Sequence, residues 1–147
     1  MSSTSASNTK IRILVVDDEP DILLTLNAVL SSQAHYVKTF DNPAEALAHL
    51  SSNNVVTPYD LVITDYRMPG SGISGLDLAK RVKEYNTAKR RTTKVFLMSG
   101  SFNESSLPEE FSEGLKSGVV EEFIQKPISN DKLIAIVKKS FSHIKNH

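Results

Sequence analysis

Five side chains in this sequence are of the types that handle metal ions and phosphate. Three are carboxylates, Asp17, Asp18 and Asp65, and the others are the Ser99 hydroxyl and the Lys126 ammonium. If the carboxylates lie together, their repulsion raises at least one pKa unless a cation or a lysine compensates. Mg²⁺ suits such a site because it prefers oxygen ligands and commonly joins carboxylates to phosphate oxygens, and Mn²⁺ can take its place. The set therefore predicts a divalent cation beside a carboxylate that can form an acyl phosphate.

The elements that must position these residues can be predicted from apolar runs and helical spacing. Strands are predicted at residues 11–16, 36–40, 60–64, 94–98 and 119–125. A helix follows each strand, the second beginning after the cap residue Asn42 and the fourth covering residues 109–116 until Gly118. Strands that alternate with helices predict an α/β fold with a doubly wound parallel sheet, in which ligands bind at the carboxyl ends of the strands.

The five reactive side chains all follow predicted strands. Asp17 and Asp18 follow the first strand, Asp65 the third, Ser99 the fourth and Lys126 the fifth. Each residue alone has a simpler explanation, because acids at strand ends often cap helices and a single serine or lysine is usually solvated. Five residues of three types at the ends of four strands are hard to explain as independent capping residues.

Length and composition limit the classes of protein. The 147 residues suit one domain, and lysine plus arginine equals aspartate plus glutamate at 17 each, so no net charge recruits nucleic acid or anionic membrane. Without cysteine, disulfides and thiolate metal sites are excluded. Residues 1–9 have the composition of a disordered tail rather than a signal peptide, and no apolar run is long enough to cross a membrane. We expect a soluble, cytoplasmic protein.

These residues resemble the receiver domain of two-component response regulators, a family that includes stand-alone chemotaxis regulators. The resemblance covers residues 10–141, and we place the domain at 10–144 with a short tail at 145–147. It implies a flavodoxin-like sheet with strand order 2-1-3-4-5 and five helices on both faces. It also implies a signalling switch rather than a metabolic enzyme.

The resemblance implies a role for each residue of the set. Asp65 is similar to the phosphoacceptor, and Asp17 and Asp18 to the acidic pair that holds the metal together with Asp65. The Arg67 backbone carbonyl corresponds to a further metal ligand. Ser99 and Lys126 resemble the hydroxyl and the ammonium that contact the phosphoryl group.

Further positions resemble the switch and the residues that tune it. Pro127 is expected to follow a cis peptide bond, and Phe123 resembles the aromatic residue that moves inward as Ser99 approaches the phosphoryl group. Arg67 and Ser101 lie where the family tunes the hydrolysis rate. The surface formed by the fourth helix, fifth strand and fifth helix is then expected to change.

The resemblance also implies partners. The phosphoryl group comes from a sensor histidine kinase or a histidine phosphotransfer protein, and the signal leaves through a downstream protein target. Because the chain ends soon after the last predicted helix, we expect no attached DNA-binding or enzymatic domain, and a monomer or a weak phosphorylation-dependent dimer.

Two stretches depart from the family pattern. Gly75 lies about two residues later than the corresponding glycine, so the loop after Asp65 is expected to be longer. The stretch between Ser99 and Lys126 is also longer and contains Pro108. The four histidines show no ligand-like spacing, and we expect solvated surface positions for them: His35, His49, His143 and His147.

Three alternatives stay open. Gly70, Gly72 and Gly75 form G-x-G-x-x-G, which is typical of dinucleotide binding, but Pro69 precedes it and no acid follows about 20 residues later. A haloacid-dehalogenase-type phosphatase would need an aspartate where the chain has Arg67. A receiver-like interaction module that works without phosphorylation would keep the fold without the chemistry.

Overall fold

The computed structural model describes residues 10–52, 57–102 and 104–142. In this part of the chain the strands are β1 (Arg12–Val16), β2 (Tyr36–Phe40), β3 (Leu61–Asp65), β4 (Lys94–Ser99) and β5 (Glu122–Gln125). The helices are α1 (Pro20–Ser32), α2 (Pro43–Ser51), α3 (Gly75–Lys89), α4 (Glu109–Ser117) and α5 (Asn130–Phe141). The tails predicted at residues 1–9 and 145–147 lie outside the described residues, as do His143 and His147.

The strands form one parallel sheet in the order β2-β1-β3-β4-β5. Within it β1 lies between two partners, so that Ile13 is opposite Val37 on one side and Leu61 on the other. This arrangement confirms the predicted fold class and strand order. Because all pairs are parallel, the carboxyl ends of β1, β3, β4 and β5 meet at one edge of the sheet.

Alternate strand side chains build a separate core on each face of the sheet. On one face Ile13 belongs to a cluster with Leu30 of α1 and Leu133 of α5. On the other face Leu14 belongs to a cluster formed with α2, α3 and α4, which includes Leu78. Burial on both faces explains why the strands are nearly continuous apolar runs.

The strand ends differ in detail from the prediction. Both β3 and β4 run one residue further, so Asp65 and Ser99 are the last residues of their strands. The predicted start of β5 at residue 119 was wrong, because β5 begins at Glu122. Val120 is buried, but its N–H donates to the Gly114 carbonyl at 3.0 Å and closes the end of α4. Its apolar side chain therefore serves the core without belonging to a strand.

The helix starts depend on local side-chain and backbone signals. Asn42 caps α2 as predicted, because its Oδ1 accepts the N–H groups of Ala44 and Glu45. Helix α4 begins directly after Pro108, and Gly118, with φ of 83°, ends it. Within the described residues, no helix combines the length and the apolar character that crossing a membrane requires.

The surface position predicted for His35 and His49 was wrong. Both side chains are half-buried. The His35 Nδ1 accepts the Ile11 N–H at 3.1 Å, and the His49 Nε2 lies 2.8 Å from the Tyr59 hydroxyl. Burial is the main reason that the pKa of each histidine is lowered. These two histidines are therefore structural hydrogen-bonding groups.

Candidate functional site

Three carboxylates meet where β1 and β3 end side by side. Oxygen atoms of Asp17, Asp18 and Asp65 all lie within 4.8 Å of one another. Asp17 is fully buried and Asp65 is 7% exposed, whereas Asp18 faces solvent. The predicted acidic cluster is therefore present, with two of its three members removed from water.

Lys126, directly after β5, forms ion pairs with both buried acids. Its Nζ lies 2.8 Å from Asp17 Oδ2 and 3.1 Å from Asp65 Oδ1. The Asp17 Oδ1 accepts the Glu19 N–H at 2.9 Å. Although Asp17 Oδ2 is close to the ammonium, it has no hydrogen-bond partner of good geometry among the described residues. One ammonium thus serves two carboxylates.

Burial and repulsion change the acid strength of the site. Burial, followed by the charge of Asp17, raises the pKa of Asp65 to about 6, although Lys126 opposes this shift. Burial by itself would lower the pKa of Lys126, but hydrogen bonding and charge from Asp17 and Asp65 raise it overall. The pKa is therefore raised at Asp65, as clustering predicts, but burial is a larger cause than the repulsion on which the prediction depended.

The donor set fits a divalent cation. Carboxylate oxygens are the ligands that Mg²⁺ prefers, and the buried Asp17 Oδ2 has as its charged partner only an ammonium that it shares with Asp65 among the described residues. An ion held by Asp17, Asp18 and Asp65 would also reduce the repulsion that raises the Asp65 pKa.

Ser99 and Lys126 are held together at the ends of neighbouring strands. Ser99 is 2% exposed, and its Oγ accepts the Ser101 N–H at 3.1 Å. The Ser99 carbonyl accepts the Lys126 N–H at 2.9 Å, which continues the β4–β5 pairing. The Lys126–Pro127 peptide bond is cis, as predicted.

A cavity of about 610 Å³ brings these groups to one opening. It is lined by the predicted residues Asp65, Arg67, Ser99, Lys126 and Pro127, as well as by Ser101. Apolar side chains of α1 form another wall, including Ile22 and Leu26. The cavity therefore gives a reactant access to the Asp65 carboxylate. The Arg67 carbonyl as a metal ligand stays a prediction.

Phe123 lies apart from this cavity. It is 8% exposed and belongs to the core on the α4 side of the sheet, with its ring centroid 5.9 Å from that of Phe111. Its predicted role as a moving aromatic residue therefore depends on a coupling between the cavity and α4.

The glycines in the loop after Asp65 are explained by backbone conformation and close packing. Gly70 and Gly72 adopt φ of 83° and 75°, which glycine tolerates best. A Cβ atom at Gly75 would overlap the Asp65 carbonyl oxygen and lie 2.8 Å from Leu97 Cδ1, so only glycine lets α3 start this close to β3. The loop thus brings helix and strand together, and nine residues separate Asp65 from Gly75 in place of the tight turn that dinucleotide binding uses.

The sequence reasoning missed Tyr66, which follows Asp65 directly. Its hydroxyl donates to Glu110 Oε1 at 2.8 Å, and its ring centroid lies 4.5 Å from that of Phe111 in an edge-on arrangement. The hydrogen bond to Glu110 is the first cause of the raised pKa of this phenol. Because the partners are 44 residues apart, no local pattern predicts the contact.

Comparison with known families agrees with this geometry. The family model of the response regulator receiver domain matches residues 13–138. The chain belongs to this family. Receiver domains are signalling phosphoacceptors of two-component systems rather than metabolic enzymes, and they work with histidine kinases and downstream targets. Membership removes the support for the dinucleotide-binding and phosphatase alternatives.

Individual relatives show the same domain within longer proteins. The chain is 32% identical over 139 residues to a putative two-component response regulator of Arabidopsis thaliana, ARR21, covering 93% of this chain and 20% of that protein. It is 30% identical over 132 residues to the transcriptional regulatory protein FixJ of Bradyrhizobium diazoefficiens, covering 90% of this chain and 57% of that protein. The receiver domain therefore spans less than two thirds of either relative.

A solved structure supports the fold. The response regulator receiver domain protein from Clostridium thermocellum is 26% identical and superposes with a TM-score of 0.73, covering 92% of this chain and 97% of that chain. The five-stranded sheet and its flanking helices are thus those of the receiver fold.

Proposed function

We propose that Asp65 accepts a phosphoryl group from a phosphohistidine in a Mg²⁺-dependent reaction, and that the domain, residues 10–144, then signals through contact with another protein. The donor is a sensor histidine kinase or a histidine phosphotransfer protein, in the cytoplasm. The observation that carries this proposal is the cluster of Asp17, Asp18 and Asp65 with Lys126 beside it.

In the transfer step, a carboxylate oxygen of Asp65 attacks phosphorus as the bond from phosphorus to the imidazole nitrogen breaks, and the nitrogen keeps the electron pair. Without a metal ion the pKa of Asp65 is about 6, so the carboxylate is mostly ionised at pH 7, which is the form that attacks phosphorus. A bound Mg²⁺ would offset charge on the transferring oxygens.

Lys126 and Ser99 supply the remaining contacts with the phosphoryl group. The Lys126 ammonium, already 3.1 Å from Asp65 Oδ1, offsets the added negative charge. The Ser99 Oγ accepts the Ser101 N–H, so its own hydrogen stays free to donate to a phosphoryl oxygen. Asp18, Asp65 and the Arg67 backbone carbonyl would hold the cation, and Asp17 would orient a ligand water.

A phosphorylation assay tests the proposal. The full chain is incubated with Mg²⁺ and a small phosphodonor, such as acetyl phosphate, and intact mass is measured. We expect one added phosphoryl group, sensitive to hydroxylamine as an acyl phosphate is, and lost in Asp65→Asn or with EDTA.

Asp41→Asn is the matched control, because Asp41 follows β2 at the same edge of the sheet but is exposed and lies outside the acidic cluster. It should be phosphorylated like the unchanged protein. Absence of any Mg²⁺-dependent phosphorylation would instead favour an interaction module that works without phosphorylation.

A further inference from the structure

The backbone of Tyr66 is fixed on both sides. Its N–H donates to the Met98 carbonyl at 2.8 Å, and its carbonyl accepts the Gly75 N–H at 2.8 Å. Tyr66 is therefore tied to β4, one residue before Ser99, and to the start of α3. A shift of Asp65 or of the end of β4 can therefore reach the Tyr66 backbone through these bonds.

The Tyr66 side chain reaches the first turn of α4. The hydroxyl donates to Glu110 at 2.8 Å, and the ring packs edge-on against Phe111. The Phe102 ring, in the segment after β4, lies 6.4 Å from the Tyr66 ring and 5.7 Å from the Phe111 ring. Such edge-on pairs are a favoured arrangement of aromatic rings, so the contact has a defined geometry.

Phe111 is where two routes from the site meet. It is 1% exposed and contacts the Tyr66 ring on one side and the Phe123 ring on the other, at 4.5 and 5.9 Å between centroids. Tyr66 follows Asp65, and Phe123 precedes Lys126 by three residues in β5. A rearrangement around Asp65 can therefore reach α4 through either ring.

We propose that Tyr66 is a positioning residue that couples phosphorylation of Asp65 to the position of α4. With Asp65 paired to Lys126, the Tyr66–Glu110 hydrogen bond holds the first turn of α4. Phosphorylation draws Ser99 and Lys126 toward the new group, shifts the Met98 carbonyl that holds Tyr66, and breaks this bond. The inference depends on the proposed function, because it needs Asp65 to be the loaded residue.

The size of the effect follows from the contact. A hydrogen bond to a charged acceptor near the surface shifts an equilibrium by roughly two- to tenfold. If the bond exists in only one of two arrangements of α4, its loss shifts the populations of the two arrangements by that factor. The affinity for a ligand that prefers the other arrangement then rises by the same factor. Tyr66→Phe should therefore speed hydrogen exchange in α4 and raise the affinity of the Asp65 site for a phosphoryl mimic.

The test uses beryllium trifluoride with Mg²⁺ as a phosphoryl mimic on the full chain. Binding of the mimic is followed by fluorine NMR, and amide hydrogen exchange of residues 107–117 reports on α4. In the unchanged protein we expect loading to speed exchange in the first turn of α4. In Tyr66→Phe, exchange without the mimic should already be about two- to tenfold faster, and the mimic should bind more tightly by a similar factor.

Further variants separate coupling from general loss of structure. Glu110→Ala should behave like Tyr66→Phe, the double variant should add little, and Glu110→Gln should stay close to the unchanged protein because its amide oxygen still accepts. Tyr85→Phe is the matched control, since Tyr85 packs on the same core but has no side-chain hydrogen bond among the described residues. It should change neither readout.

The outcomes distinguish the two proposals. If the mimic fails to bind the unchanged protein with Mg²⁺, the proposed function fails and this inference fails with it. If the mimic binds normally but Tyr66→Phe alters neither α4 exchange nor its affinity, or if the Tyr66 and Glu110 effects simply add, only the coupling through Tyr66 is overturned.

Discussion

At each end of the sheet, one buried polar atom lacks a hydrogen-bond partner among the described residues: Arg12 Nε at the amino end and Asp17 Oδ2 at the carboxyl end. The Arg12 guanidinium lies 4.1 Å above the Tyr36 ring, where a cation–π contact compensates the missing bond. Asp17 instead faces Asp65, a second buried acid, and shares one lysine with it.

Other polar side chains at the two ends of the sheet show the same difference: they are hydrogen-bonded at the amino end and repel one another at the carboxyl end. At the amino end, Thr93 Oγ1 donates to the Tyr59 carbonyl at 2.6 Å and Lys94 Nζ donates to the Ser140 carbonyl at 2.7 Å. At the carboxyl end, burial and repulsion raise the pKa of Asp65. The comparison indicates that the amino end stabilises the fold, whereas the carboxyl end gives up stability to keep reactive groups in place.

The largest expected effect tests the close backbone contact between Gly75 and the Asp65 carbonyl at the carboxyl end of the sheet. Gly75→Ala should lower the free energy of unfolding by about 3 kcal/mol, because the new Cβ overlaps the Asp65 carbonyl oxygen. Urea denaturation measures this value. In Gly100→Ala the new Cβ would lie 3.8 Å from Lys126 Cβ, so a change within about 0.5 kcal/mol is expected. Equal effects of the two substitutions would show that Gly75 is not under steric constraint.

The next effect tests the pairing at the amino end. Lys94→Met should lower the free energy of unfolding by about 2 kcal/mol, because the buried Ser140 carbonyl loses its donor. Phosphorylation of Asp65 should be unaffected. Lys83→Met is the control: its Nζ donates to the Ser117 carbonyl at the same 2.7 Å, but on the exposed surface, so we expect about 0.5 kcal/mol or less. The same loss in both variants would contradict the difference that burial is expected to make.

A third prediction is that a substitution at the carboxyl end raises the free energy of unfolding instead of lowering it. The pKa of Asp65 is raised from 3.8 to about 6, so the folded protein binds this proton more tightly than the unfolded chain and loses stability as pH rises through that interval. In EDTA at pH 7.5, Asp65→Asn should therefore be more stable than the unchanged protein by about 1 to 2 kcal/mol. The difference should vanish below pH 3.8. If Asp65→Asn is less stable than the unchanged protein at pH 7.5, the claim that ionised Asp65 destabilises the fold is wrong.

The smallest effect compares one substitution at both ends. Thr93→Val removes the hydroxyl that satisfies the Tyr59 carbonyl and should lower the free energy of unfolding by about 1 kcal/mol. Thr64→Val, next to Asp65, removes a buried hydroxyl whose one hydrogen bond among the described residues is to the adjacent Asp65 carbonyl at 3.0 Å, so we expect about zero. Thermal unfolding of both variants measures the difference, and a reversed order would break the comparison.

The fold and the composition of the site could be predicted from the sequence because both follow from simple periodicity. Runs such as residues 61–65 are buried on both faces and therefore apolar throughout, and parallel strands must end at one edge. Asp17, Asp65, Ser99 and Lys126 could thus be placed together from their positions after strands.

The remaining features depend on contacts between distant parts of the chain. Val119 and Val120 have the composition of a strand, yet the end of α4 uses them, and only the hydrogen bond to Gly114 reveals this. Gly75 was predicted as part of a loop, while its need for glycine comes from the approach of Asp65. The Tyr66 contact with Glu110 likewise requires the packed structure.

The hydrogen bond from the Gly75 N–H to the Tyr66 carbonyl closes the base of the segment between them. Residues 67–74 form a loop that is closed at its base, so its exposed tip around Pro69 and Gly70 can change length or sequence without moving Asp65. Evolution can therefore alter the length and sequence of this tip without changing the position of the carboxylate that reacts.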